Sequence, residues 1–312
     1  MEKNPSLSIV VPVYCAEKTL DTLVDQLVKT LPALTNQYEI ILVNDGSKDN
    51  SWQLIEDLAQ KNPFITGINL MRNYGQHNAL LCGIRAAKHE IIITMDDDLQ
   101  HPPETIHFLL EKMEEGYDVV YGSPINEQHG LLRDAASMTT KIVMQNMMNV
   151  DTARYVSAYR AFRTQLRDSF ANYQGSTVSI DVLLTWGTNR FGYVKVEHHS
   201  RYAGESHYTF RKLVSHAMNM ITGFSTIPLR ISSGIGFFFT LFGVVVFLYA
   251  LLRYLISGGS TVPGFTFLAS VIAIFSGAQL FALGIMGEYL ARMHFRLMDK
   301  PSYAVKDKVE HE

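Results

Sequence analysis

The 312-residue chain is predicted to be an α/β protein: a mostly parallel sheet covered by helices, followed by an interfacial amphipathic helix and two transmembrane helices. Three observations predict this. Strand-like apolar runs alternate with amphipathic helical stretches from residue 6 to residue 121. Residues 235–252 and 265–287 contain no Asp, Glu, Lys or Arg. The run Ile91-Ile92-Ile93-Thr94-Met95 ends in Asp96-Asp97-Asp98, which sets negative charge at the tip of a buried strand.

Residues 6–14 form the first strand. Only one lysine precedes their apolar core, Pro12 interrupts it and no small-residue cleavage site follows, so it reads as a strand and not a signal peptide. From Glu17 to Leu31, Leu20, Leu23, Val24, Leu27, Val28 and Leu31 recur at helical spacing. Tyr38 to Val43 is a second strand ending in Asn44-Asp45-Gly46-Ser47, with a helix from about Asp49 to Gln60. Ile65 to Met71 leads through Arg72-Asn73-Tyr74-Gly75 into a helix ending near Lys88. The acidic-tipped strand precedes a helix from Pro102 to Glu115, and Asp118 to Tyr121 is a fifth strand. Beyond Gly122 the alternation stops: Leu131–Met148 and Ser179–Trp186 read as helices, Tyr155–Phe162 and Gly192–His198 as strands.

Between residues 207 and 224 one helical face carries Phe210, Leu213, Val214, Ala217 and Phe224 and the other Arg211, Lys212, Ser215, His216 and Asn219, which suits a helix lying in a membrane interface. Ser232–Leu255 and Phe265–Tyr289 each hold an apolar core of about 18 to 22 residues, enough to cross a bilayer. Arg211, Lys212 and Arg230 precede this hairpin and Arg292, Arg296 and Lys300 follow it, whereas only Arg253 lies near the connector. The positive-inside rule then puts both termini in the cytoplasm. Ala273 and Gly277 form a small-xxx-small pair of the kind that brings helices together in homo-oligomers. The boundaries so read are 1–206 for the α/β domain, 207–230 for the interfacial region, 231–291 for the hairpin and 292–312 for a tail.

A formal net charge of −3 argues against nucleic-acid binding. Cys15 and Cys82 have no metal or redox spacing, and the adjacent His198 and His199 would point to opposite sides of a strand. No Gly-x-Gly-x-x-Gly or P-loop pattern is present. Parallel strands joined by right-handed crossovers bring Pro12–Glu17, Asp45–Ser47, Arg72–Gly75 and Asp96–Gln100 to one crevice. Two readings of the acidic tip stand at this point: a divalent-cation site carrying a phosphorylated substrate, or a solvated acidic turn that caps the next helix. Arg133, Arg160 and Arg201 are candidates for phosphate, against the alternative of ordinary surface ion pairs.

Taken together, Ser8 to Tyr14, Val43-Asn44-Asp45-Gly46-Ser47, Arg72-Asn73-Tyr74-Gly75 and Met95-Asp96-Asp97-Asp98-Leu99-Gln100-His101-Pro102 resemble the GT-A fold glycosyltransferases of family 2. The Arg201–Tyr208 turn and the C-terminal spans narrow the resemblance to the polyprenyl-phosphate glycosyltransferases. The resemblance implies a Rossmann-like domain that transfers a sugar, with inversion, from a nucleotide-sugar such as a UDP-sugar to undecaprenyl phosphate at the bacterial inner membrane, for cell-envelope glycan or lipopolysaccharide modification. It implies that Pro12, Tyr14, Glu17, Asp45, Gly46 and Ser47 contact the nucleotide, that Asp96 meets the donor, and that Asp98 and Gln100 hold Mg²⁺ or Mn²⁺. Asp97 is expected to point away. The resemblance further implies that Arg133 and Arg201 meet phosphates, and Arg160, Ser206, His207 and Tyr208 are expected to complete the acceptor-phosphate set. The chain departs from the pattern at Cys15-Ala16, where many relatives have Asn-Glu, and at His207, where Lys is usual; Arg154 stands near a position that is often acidic. The rival readings are a processive synthase, although no Gln-x-x-Arg-Trp occurs, and a non-catalytic sugar-nucleotide sensor.

Overall fold

The computed structural model describes residues 5–125, 155–175, 178–198, 227–256, 265–298 and 300–311. They fall into two units, Met1–Phe210 with Lys300–Glu312, and Arg211–Asp299.

In the first unit Leu7–Val13 (β1) has no polar face to show: every residue is buried, and Ser8 donates its hydroxyl to Glu39 at 2.6 Å. Such a strand belongs inside a sheet covered on both faces. Leu20–Leu34 (α1) lays Leu20, Leu23, Val24, Leu27 and Leu31 against it along one helical stripe. The same logic repeats through Tyr38–Asn44 (β2), Ser51–Lys61 (α2), Ile65–Leu70 (β3), Gln76–Ala86 (α3) and Ile91–Thr94 (β4). A 3₁₀ turn at Pro103–Thr105 leads into Ile106–Glu114 (α4) and then Val119–Pro124 (β5). Arg160–Arg163 (β6), a 3₁₀ run at Thr164–Phe170, Ile180–Leu184 (α5) and Phe191–Val196 (β7) follow.

Among the described residues the sheet has 8 strands in the order β7-β5-β6-β4-β1-β2-β3-β8, where β8 is Val305–Val309. β1, β2, β3 and β4 run parallel, so their carboxyl ends share one edge. β5 and β7 are parallel to each other, whereas β6 is antiparallel to β4 and β5, and β8 to β3. Element types expected from the sequence recur here with shifted ends: β6 starts at Arg160 and not at Tyr155, and α5 is shorter than 179–186. β8 was not expected, because residues 292–312 read as a tail. Its sequence Val-Lys-Asp-Lys-Val is largely exposed, so it carries little of the apolar signal by which strands are found.

Arg160 is corrected by the structure. It is 1% exposed, its guanidinium is ion-paired with Asp181, and its Nε donates to Thr94 Oγ1 at 3.1 Å. Tyr121 donates its hydroxyl to the same Asp181 carboxylate at 3.1 Å. The charge expected to meet an acceptor phosphate is neutralised inside the fold, where it ties β6 to α5.

In the second unit Ile227–Ile256 (α6) and Phe265–Leu297 (α7) are 30 and 33 residues long. Phe239 and Phe275 meet edge to face at 5.7 Å, with Phe275 against Gly243. Among the described side chains Phe237, Phe238 and Leu280 leave large apolar surface exposed. Both helices contain stretches, Pro228–Val246 and Ile274–Ala291, long and apolar enough to cross a membrane. The helices expected at 131–148 and 207–224 lie outside the described residues.

Removing one partner of a buried ion pair leaves the other charge desolvated. Asp181→Ala is therefore expected to lower the unfolding free energy by about 3–5 kcal/mol, read from denaturant unfolding of the detergent-solubilised chain. A loss below about 1 kcal/mol, the size typical of a surface pair, would contradict the structural role given to Arg160.

Candidate active site

An open crevice of about 600 Å³ lies at the shared carboxyl edge, lined by residues 12–19 at the end of β1 and just beyond it, Asp45 and Asp49 after β2, Asn73, Gly75 and Gln76 after β3, and Asp96, Asp97 and Asp98 after β4. Ligands of open α/β sheets bind at such an edge.

The walls are tied to one another by carboxylates accepting hydrogen bonds. Asp45, 3% exposed, accepts the backbone N–H of Tyr74 at 2.7 Å through one oxygen and that of Gly75 at 2.8 Å through the other. Burial pushes its pKa up, and the two amides and the nearby Arg72 charge oppose the rise. Gly46 lets the two loops come this close. It has φ +65°, and a Cβ there would stand 2.5 Å from the Arg72 carbonyl carbon and the Asn73 nitrogen. Arg72 stacks its guanidinium over the Tyr74 ring at 4.3 Å from the centroid.

Glu17 accepts the Asn50 N–H at 3.1 Å and donates its own N–H to Asp49 at 3.3 Å. Ser47 Oγ accepts the Cys15 N–H at 3.0 Å. Asp96 accepts from Gln76 Nε2 at 2.6 Å. Asp97, expected to turn away, lines the crevice and accepts the Tyr14 N–H at 3.0 Å, because the chain has left the strand at Thr94 and strict alternation no longer applies. Asp98 accepts the Gln100 N–H at 3.1 Å, closing a tight turn.

Among the described residues two other than glycine have left-handed backbone, Cys15 at φ +55° and Leu99 at φ +61°, and both belong to crevice loops. Each costs roughly 1–2 kcal/mol, and strain of this kind gathers at functional sites. At Leu99 it keeps the side chain packed on the core between Asp98 and Gln100.

His101, directly after the tip, is buried, stacked on Tyr159 with centroids 4.9 Å apart and edge-on to His198 at 4.9 Å. Burial, with His198 adding to it, pushes its pKa down to about 4, so the ring is neutral at pH 7.

The structure thus brings Pro12, Tyr14, Glu17, Asp45, Asp96 and Asp98 to one crevice, with Gly46 and Ser47 in its supporting loops. Arg133, Arg201, Ser206, His207 and Tyr208 lie outside the described residues. Asp49, Gln76 and Asp97 are the additions; the position of Gln76 just after Gly75, at a helix start on this edge, was the available signal. Among the described residues no group of three or more His, Cys, Asp or Glu could hold a metal ion. Asp98 lines the crevice, whereas Gln100, two residues on, is not among its lining residues; the Asp98 carboxylate is a hard oxygen donor of the kind that fits Mg²⁺ or Mn²⁺ and not a zinc cage.

A parallel sheet with a carboxylate-rich crevice at its carboxyl edge is the frame of a GT-A glycosyltransferase. The chain belongs to glycosyl transferase family 2, whose family model matches residues 8–173. It is 35% identical to the undecaprenyl-phosphate 4-deoxy-4-formamido-L-arabinose transferase of Shewanella sediminis, over 96% of this chain and 92% of that protein. It is 33% identical to the protein of that name from Proteus mirabilis, over 98% of this chain and 94% of that one. Among solved structures it resembles glucosyl-3-phosphoglycerate synthase from Mycobacterium tuberculosis in complex with Mn²⁺, UDP and phosphoglyceric acid, with a TM-score of 0.53 at 15% identity, covering 70% of this chain and 76% of that one. That likeness concerns the fold. The chain is a glycosyltransferase.

Gly46→Ala is expected to push the Arg72–Asn73 backbone away and free the amides of Tyr74 and Gly75 from Asp45. Hydrogen exchange at those amides should then quicken at least about tenfold, the equivalent of 1.4 kcal/mol. Unchanged protection would contradict the close approach assigned to Gly46.

Proposed function

We propose that this enzyme transfers a sugar from a UDP-sugar to undecaprenyl phosphate at the cytoplasmic face of a bacterial inner membrane, and that the sugar is 4-deoxy-4-formamido-L-arabinose. The observation that carries the reading is the crevice itself: Glu17, Asp45, Asp96 and Asp98 line one space of about 600 Å³, in a chain that also holds two helices fit to cross a membrane. The names of relatives aligned over nearly the whole length support the acceptor and the sugar. The basic residues flanking the helical hairpin, Arg230 before it and Arg292, Arg296 and Lys300 after it, support a cytoplasmic catalytic domain.

In this reaction an oxygen of the lipid phosphate attacks the anomeric carbon, the bond from that carbon to the diphosphate breaks with inversion, and UDP leaves. A phosphomonoester has a second pKa near about 6, so the nucleophile is already anionic at neutral pH and needs no strong base. The residues are left with positioning and charge. Asp45 and Glu17 shape the nucleotide end through the loops they tie together, and Gln76 orients Asp96 toward the donor. Asp98 and Gln100 would hold Mg²⁺ or Mn²⁺, which supplies positive charge to the leaving diphosphate when bound. Arg133 and Arg201 are assigned to phosphate, with Ser206, His207 and Tyr208 beside Arg201 in sequence. The product, a polyprenyl-phosphate-linked sugar, would serve modification of cell-envelope lipopolysaccharide.

The test is a panel of radiolabelled nucleotide-sugars offered to the purified enzyme with undecaprenyl phosphate, counting label that enters the solvent-extractable lipid. Transfer is expected from the UDP-formamidoarabinose donor, and EDTA or Asp98→Ala should lower it at least about a hundredfold, the scale of losing one electrostatic stabiliser. Full activity without that carboxylate or without divalent metal would overturn the metal assignment. Tight nucleotide binding with no labelled lipid from any donor would favour a sensor.

A further inference from the structure

The chain that emerges from α7 returns to the sheet. Ala304 accepts the Met71 N–H at 2.9 Å, β8 then pairs antiparallel with β3, and Ser302 donates to the Gly175 carbonyl at 2.9 Å. Val309 packs against Gly67, where a Cβ would stand 2.7 Å from its Cγ1. Tyr303 lies under the Arg85 guanidinium, 5.6 Å from the ring centroid. An edge strand needed only to cover β3 would require no hydrogen bond between one of its own side chains and a buried polar side chain of β3. Asp307 is different.

Asp307 Oδ2 accepts from Asn69 Nδ2 at 3.3 Å, and Asn69 Oδ1 accepts from Asn44 Nδ2 at 2.8 Å. Asn44 Oδ1 in turn accepts the Ser47 N–H at 3.3 Å, and Ser47 Oγ accepts the Cys15 N–H at 3.0 Å on the crevice wall. Asn69 and Asn44 are 6% and 2% exposed, so neither amide can readily exchange its partner for water. Each amide uses one donor and one acceptor in a single direction, and the carboxylate at the start fixes that direction because it can only accept. The same tail holds Met71, the residue before the Arg72–Gly75 loop, which carries the amides bound by Asp45.

We propose that β8 is a positioning element of the donor site, and that Asp307 orients the Asn69–Asn44–Ser47 relay which sets the Asp45–Ser47 loop and, through Ser47, the strained Cys15 turn. This rests on the reading of the crevice as the UDP site. It makes donor binding depend on residues that follow the membrane hairpin in the chain, although the rest of the donor site precedes it. Asp307 also lies 3.6 Å from Lys306, a contact between exposed side chains.

The full-length detergent-solubilised enzyme is compared with Asp307→Ala, Asp307→Asn and the control Lys308→Ala, on the same strand. Asp307→Ala should weaken UDP binding in the presence of Mn²⁺, measured by titration calorimetry, by about tenfold, the loss typical of a hydrogen bond to a charged group. The donor KM should rise alike while the KM for undecaprenyl phosphate stays at the parent value. Asp307→Asn keeps an acceptor oxygen and should restore most of the affinity; Lys308→Ala should bind as the parent. Hydrogen exchange gives a second reading that needs no ligand: the Ser47 and Cys15 amides should exchange faster in Asp307→Ala alone. Parent-like exchange at both amides, or parent-like UDP affinity in Asp307→Ala, would overturn the proposal. A parent enzyme that binds no UDP, with exchange still quickened at both amides, would instead overturn the donor reading and leave the relay supported.

Discussion

The structure depends on gathering many carboxylates at one sheet edge. Asp45, Glu17, Asp49, Asp96, Asp97 and Asp98 all line a single crevice. Like charges this close repel, and burial in a protein makes the repulsion stronger than in water. Each of them accepts a hydrogen bond from a neutral N–H group: backbone amides for Asp45, Glu17, Asp49, Asp97 and Asp98, and the Gln76 side chain for Asp96. Such neutral donors fix the oxygens in place. The buried pair of Arg160 and Asp181 shows the opposite solution, a carboxylate cancelled by a guanidinium and retired from chemistry.

Holding the crevice in this form carries an energetic cost, borne by the backbone. Cys15 and Leu99 adopt left-handed conformations, and Gly46 is pressed against the loop that Asp45 organises. A buried parallel sheet can sustain this, since β1 has every residue buried between β2 and β4. The crevice loops are therefore short, strained and tied to one another, which preorganises the acceptor oxygens before any donor arrives.

The central architecture was legible in the sequence because it follows from periodicity. Continuous apolar runs at Leu7–Val13 and Ile91–Thr94 identify buried parallel strands, and parallel strands oblige their tips to converge. What was not legible depends on tertiary partners. Arg160 and an exposed phosphate-binding arginine look alike until Asp181 is seen beside it. Asp97 could be placed only once the chain was known to leave the strand before it. β8 is hidden by its own solubility, since an exposed edge strand rich in lysine carries no apolar pattern. Gln76 and Asn69 are neutral residues whose roles come from the carboxylates they meet, 20 and 238 positions away.

Under the proposed function the acidic tip of β4 would hold a divalent cation against the donor diphosphate in the crevice. The most direct measurement is an experimental structure of the enzyme with UDP and Mn²⁺, with anomalous scattering collected to locate the manganese. The account predicts an anomalous peak bonded to Asp98 and Gln100, with the diphosphate as its other ligand and the uridine between the loops of Asp45 and Glu17. Nucleotide density outside this crevice, or manganese at another set of residues, would contradict it.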